Sequence, residues 1–115
     1  MVHGLAHPLG SRWHTAHGLT CAACLPAALA FNLPVIANTL ADLHSRLGID
    51  VEATVGDWFA AMRLTSPFAG QPLHDRAAII RETLASGSTA ANPRPVTAAD
   101  VESLLDSLFA PVRPA

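Results

Sequence analysis

Histidine is the residue this chain concentrates. Four of its six histidines fall within the first seventeen residues, in the run His3-Gly-Leu-Ala-His7-Pro-Leu-Gly-Ser-Arg-Trp-His14-Thr-Ala-His17-Gly. Neutral imidazole is the commonest metal ligand and a ready proton-transfer group, so such a density points to a metal site, a proton relay or both. His3 and His7 are four residues apart and would share one face of a helix. His14 and His17 are three apart, at the mouth of the next apolar segment. A complete metal site would need further ligands from elsewhere in the chain or from a segment outside it.

The two cysteines stand as Cys21-Ala-Ala-Cys24 inside an apolar run. A lone C-x-x-C is a weak redox or metal signal. Its simplest reading is a pair of small core residues, because free cysteine is among the most buried residue types. A redox pair and a metal role are the alternatives. Nothing points to a disulfide-stapled secreted domain.

With 115 residues the chain is one domain or part of one. Apolar residues make up 50% and charged residues 14%, against a usual charged share of about 25%. A surface so poor in charge is expected to have a face buried against something else. There is no lysine, the seven arginines are scattered and the net charge is −2. A nucleic-acid partner, which would need a basic stripe, is not expected. A helix-turn-helix DNA binder is disfavoured on the same ground. No signal peptide is recognisable at the N-terminus. Residues 18–41 carry no charge, but Pro26, Asn32, Pro34 and Asn38 interrupt them. Their purely apolar pieces fall short of the about 20 residues a span requires. A cytoplasmic chain without a membrane partner is expected.

The patterning is helical throughout, with no alternating β-branched runs. Residues 2–7 read as the last turns of a helix begun further upstream, stopped before Pro8 and Gly10. Gly18 to Asn32 reads as a buried helix, apolar nearly all round, which Pro26 kinks or divides. Pro34 suits a first helical position. Ile36, Leu40, Leu43 and Leu47 follow at helical spacing, and Gly48 is a good stop. Asp50 can cap the next helix, whose core stripe would be Val51, Val55, Trp58, Phe59 and Met62. Residues 65–72 are a loop by composition. Leu73, Ala77, Ile80 and Leu84 mark another helix ending near Gly87. Residues 86–96 are too rich in proline and small polar residues for regular structure. Thr97 and Asp100 have the spacing of a capping box. Val101, Leu104, Leu105 and Leu108 line the last helix, and the tail after Pro111 is expected to fray. The fold class is therefore all-α, with five or six helices.

These residues also carry a family resemblance. His3-Gly-Leu-Ala-His7-Pro-Leu-Gly10 resembles the H-x-x-x-H-P-L-G signature of the iron-containing (group III) alcohol dehydrogenases. His17-Gly18 follows His7 by ten residues, as that family's next histidine-glycine does. Leu25-Pro26 and Phe31-Asn32 match its leucine-proline and its helix-ending asparagine. Asn92-Pro93-Arg94-Pro95 with Thr97 looks like the turn before its last helix. The histidine motif is highly specific; the C-terminal turn supports it, and residues 48–88 add only helical character. Ala16 stands where the family commonly has proline, and Cys21 where asparagine is common.

The resemblance implies the bundle-like helical C-terminal domain of the dehydroquinate synthase-like, iron-containing alcohol dehydrogenase fold. Residues 1–115 would form one partial domain, with the N-terminal nucleotide-binding α/β domain absent. It implies a divalent metal, iron first and zinc second, held by an aspartate and three histidines. His3 and His17 would be two of those histidines. His7 would be the non-ligand histidine beside the nicotinamide and substrate, a catalytic and cofactor-contacting residue able to relay a proton. The remaining ligands, and the part that binds NAD or NADP, would lie upstream. His14 would be a surface residue or a neighbour of the ligands, or a stand-in for a missing one; His44 and His74 would be solvated on polar helix faces. The implied activity is alcohol–aldehyde interconversion by metal-assisted hydride transfer, with the isolated chain inactive. The implied partners are a small alcohol or aldehyde, a nucleotide-binding domain or subunit and a second copy in a homo-oligomer. The competing readings are a stand-alone helical metal-binding or interaction module and a fragment similar to maleylacetate reductases.

Overall fold

The computed structural model describes residues 1–113. Among these, six helices and no strand are present: α1 (Val2–Trp13), α2 (His17–Leu47), α3 (Val51–Ala61), α4 (Arg76–Ala85), α5 (Gly87–Ala90) and α6 (Ala98–Phe109). α1 packs against α2, α4 and α5, while α6 closes the other side against α2 and α4. Leu5 and Leu9 of α1, Ile79 of α4, and Val101 and Leu105 of α6 are fully buried between them. Phe68, in the connection between α3 and α4, seals the end of this core; its ring lies 5.4 Å from that of Phe109. Trp13 meets both rings edge-on.

Several ends form as local chemistry dictates. Asp50 accepts a hydrogen bond from the Ala53 N–H at the start of α3. Gly48 closes α2 in the left-handed region, φ 66°, donating its N–H to the His44 carbonyl, where a side chain would cost strain. Thr97 and Asp100 form the reciprocal capping box of α6. The stripe on α6 is buried as expected, with Phe109 added to it.

Proline behaves differently from expectation. α1 does not stop before Pro8 but runs through it to Trp13. α2 is one helix of 31 residues containing both Pro26 and Pro34. Neither is it divided at Pro26, nor does Asn32 end it, nor does Pro34 begin a new one. An internal proline leaves the carbonyl four residues back without its usual donor. Distant residues brace the helix near Pro34: the Arg94 guanidinium donates to the Phe31 carbonyl at 2.8 Å and lies over the Phe31 ring at 4.1 Å. The Asn32 and Asn92 side-chain amides pair reciprocally, at 3.0 and 2.8 Å. The Asn92-Pro93-Arg94 turn thus clasps α2 at its midpoint.

Burial also departs from expectation. α2 is not a buried helix: only Thr20, Cys24 and Ala28 are buried. By length and composition alone α2 is apolar enough to cross a membrane, and it is continuous where interruption was expected. The stripe Val51, Val55, Trp58, Phe59 and Met62 is no core; α3 buries no residue, and Trp58 is 59% exposed. On α4 the buried positions are Ile79 and Thr83, whereas Leu73 precedes the helix and Leu84 is exposed. The 86–96 segment contains one short turn, α5, capped by Ser86. Residues 111–113 are exposed coil; the rest of the tail expected to fray, residues 114–115, lies outside the described residues.

Candidate metal centre

Two helices and a three-residue corner build the site. α1 presents His3 and His7 one turn apart, both exposed. The corner then reverses the chain. His14 adopts the left-handed conformation, φ 52° and ψ 40°, with its N–H bonded to the Gly10 carbonyl. The Thr15 N–H reaches the same carbonyl at 3.2 Å. Buried Thr20 ties the start of α2 down, donating its hydroxyl to the Ala16 carbonyl and sharing a 2.7 Å hydrogen bond with the Thr15 hydroxyl. α2 opens at His17, so its first side chain is delivered back to the face of α1 that carries His3 and His7.

The three rings meet there. The His3 and His17 centroids are 5.2 Å apart, His7 and His17 5.5 Å, and His3 and His7 5.9 Å with the rings edge-to-face. The structure thus brings together the three histidines singled out from the sequence. His14 stays at the corner and outside the cluster. His44 is exposed on α2. His74 is not on a helix face: it lies in the connection before α4, stacked on Trp13 at 4.2 Å and 3.4 Å from an Asp75 oxygen.

A fourth residue joins the histidines. Cys21, one turn after His17, places its Sγ 3.5 Å from His17 Nε2. One donor atom each from His3, His17 and Cys21 lies within 4.8 Å of the other two. Burial pushes the Cys21 thiol up. Cys24 points the other way, into the core, and burial pushes its thiol up to about 12. A thiol so desolvated is unreactive near neutrality, which argues against a redox pair and leaves Cys24 as the expected core residue. For Cys21 the sequence favours a core residue and keeps a metal role only as an alternative; the structure places it beside the histidines. Its signal was the four-residue spacing from His17, legible once α2 is known to be helical from its first residue.

Two converging imidazoles are a suitable partial donor set for iron or zinc, and their donor atoms are close enough for both to face one ion. His7 lies beside them without joining the donor set. It also lines an open cleft of about 490 Å3 with Gly4, Pro8, Ser11, Glu82 and Ser86. On this cleft's floor α1 and α5 approach closely: a Cβ at Gly4 would collide with the Thr89 hydroxyl and crowd Ser86. Arg12 spans the cleft's edge, pairing with both Glu82 oxygens at 2.8 and 2.7 Å and holding that carboxyl below its ordinary range.

Comparison with known proteins adds an independent line. The profile of the Fe-containing alcohol dehydrogenase family, C-terminal part, matches residues 1–109. Lactaldehyde reductase of Escherichia coli strain K12 is 29% identical over 118 aligned residues, covering 90% of this chain and 31% of that protein. The protein of the same name from Escherichia coli O157:H7 matches equally. Methanol:N,N-dimethyl-4-nitrosoaniline oxidoreductase of Amycolatopsis methanolica is 36% identical over 50 residues, covering 44% of this chain and 12% of that protein. The chain spans about a third of the length of the lactaldehyde reductases it matches. No solved structure matched the chain.

Proposed function

Because the chain belongs to the Fe-containing alcohol dehydrogenase family, whose C-terminal part it matches, we propose that it is the metal-binding portion of an NAD- or NADP-dependent alcohol dehydrogenase. The observation that carries this is the convergence of His3 and His17, with His7 beside them. In this reading His3 and His17 hold a divalent cation, iron or zinc. The remaining ligands and the nucleotide-binding elements come from residues outside these 115. The substrate is a small alcohol or its aldehyde. The setting is cytoplasmic, with a homo-oligomer as the assembly and no nucleic acid or membrane as partner.

A cation held by His3 and His17 would act as a Lewis acid towards the alcohol oxygen. A nicotinamide held by elements outside these residues would serve as the hydride acceptor. The chain's own task is to fix the ligands and move the proton. The His14 corner and the Thr15–Thr20 bond hold His17 opposite His3, so the two imidazoles are oriented before any ligand arrives. His7 accepts the alcohol proton at a ring nitrogen. Because it lines the cleft between α1 and α4, it can release that proton towards solvent.

The test is a metal titration of the isolated chain, followed by an activity assay. Wild type is expected to bind zinc or iron(II) by calorimetry; His3→Ala and His17→Ala are expected to abolish that binding, and His7→Ala to leave it. Equal binding by all four proteins would refute the ligand assignment. The chain alone is expected to give no alcohol-dependent NAD(P)H; robust turnover would show that it needs nothing further.

A further inference from the structure

We propose that Cys21 Sγ is a third metal donor from this chain, joining His3 and His17 in a two-imidazole, one-thiolate donor set for a thiophilic divalent cation such as zinc. The proposal rests on the His3–His17 pair of the preceding reading and extends it to the third donor and the class of ion.

Geometry is the first ground. Zinc binds imidazole nitrogen at about 2.0–2.1 Å and thiolate sulfur at about 2.3 Å in tetrahedral sites, which sets nitrogen and sulfur roughly 3.5 Å apart around one ion. His17 Nε2 and Cys21 Sγ are already 3.5 Å apart. They sit one turn apart on one rigid helix, so no backbone movement is needed to present both. The His3 donor completes a triangle with no side longer than 4.8 Å. Small rotations of exposed side chains close the remaining gap.

Accessibility is the second ground. His3 and His17 are exposed and Cys21 is half-buried, so an ion can enter and the rest of its coordination sphere is left to donors from outside these 115 residues and to substrate. Cys24 is fully buried and faces the core, so the two thiols are not interchangeable. Donor chemistry is the third ground. A soft thiolate beside two imidazoles selects zinc and cobalt over magnesium, calcium or manganese. On binding, the Cys21 thiol gives its proton to solvent and the sulfur lone pair to the ion, with no change of oxidation state.

The experiment uses the reduced 115-residue chain and cobalt(II) as a spectroscopic probe, with zinc competition for affinity. Wild type and Cys24→Ser should show a thiolate-to-cobalt charge-transfer band in the near ultraviolet together with tetrahedral visible bands. Cys21→Ser should lose the charge-transfer band. It should also bind zinc more weakly by about tenfold or more, the least expected when even an outer partner of a metal ligand costs 10–100-fold. Far-ultraviolet circular dichroism checks that each variant keeps its helices, with Cys24→Ala as the replacement should the serine fail to fold. Visible bands without a charge-transfer band in wild type would overturn the role of Cys21 and leave the histidine pair standing. A band that vanishes in Cys24→Ser and persists in Cys21→Ser would overturn it equally. No cobalt binding at all would overturn both the third donor and the pair.

Discussion

α6 and α3 are nearly the same length, 12 and 11 residues. Each starts at a capping side chain and each carries an apolar stripe at helical spacing. α6 buries five residues of its stripe, and α3 buries none. The difference is one of neighbours. α6 lies against α2 and α4, whereas α3 touches only α2. A helical stripe therefore announces a face that favours cover; it does not say what covers it. The compact half of this chain supplies its own cover. The α2–α3 hairpin leaves Leu47, Trp58 and Met62 more than half exposed.

Mutations can break that contrast. The largest effect is expected in α6: Leu105→Ala removes a fully buried side chain and should cost about 2–5 kcal/mol in urea denaturation. Gly4→Ala comes next. Its new methyl meets Thr89 across the α1–α5 contact, an overpacking that should cost roughly 1–3 kcal/mol and broaden the resonances of residues 86–90. Thr97→Ala removes the cap of α6 and should cost about 1 kcal/mol. The same box makes α6 acid-sensitive. The Thr97 N–H and hydroxyl hold the Asp100 carboxyl below its ordinary value, so folding favours the ionised form. That contribution is full above the ordinary aspartate range and disappears as the pH falls through the lower, folded-state value. Asp100→Asn should accordingly flatten the acid limb of a thermal-midpoint profile while leaving its alkaline limb in place. The smallest effect belongs to α3: Trp58→Ala should change stability by no more than about 0.5 kcal/mol. A loss as large as that of Leu105→Ala would show that α3 is covered after all and erase the distinction between the two halves.

Features set by neighbouring residues were legible in the chain. The Asp50 cap, the Gly48 stop and the Thr97–Asp100 box each depend on four or five consecutive positions, and the α6 stripe on eight. His3 and His7 were legible as a pair through their spacing, His17 joined them only through the family resemblance, and the all-helical class was legible through the absence of alternating runs. The three prolines misled because a cost of about 3 kcal/mol inside a helix reads locally as a break, whereas packing decides whether the helix continues. Near Pro34 the helix is braced at Phe31 and Asn32 by Arg94 and Asn92, some sixty residues on. Cys21 was hidden by its neighbour: Cys21 and Cys24 look alike in sequence, yet a three-residue step along α2 turns one towards the histidines and the other into the core. His74 is solvated as expected, but nothing local reveals that it precedes α4 and stacks on Trp13.

The His14 corner has a consequence in time as well as in space. All the candidate donors lie between residues 3 and 21, joined by one tight reversal, whereas the clasp on α2 joins residues sixty apart. Short loops close at lower entropic cost, and local contacts form faster than distant ones. The site should therefore assemble early in refolding, before α6 docks and the Asn92 turn locks onto α2. Pulsed hydrogen exchange should find the amides of α1 and the first turns of α2 protected ahead of those of α6; the reverse order would mean that the core forms first and the histidines are brought together last.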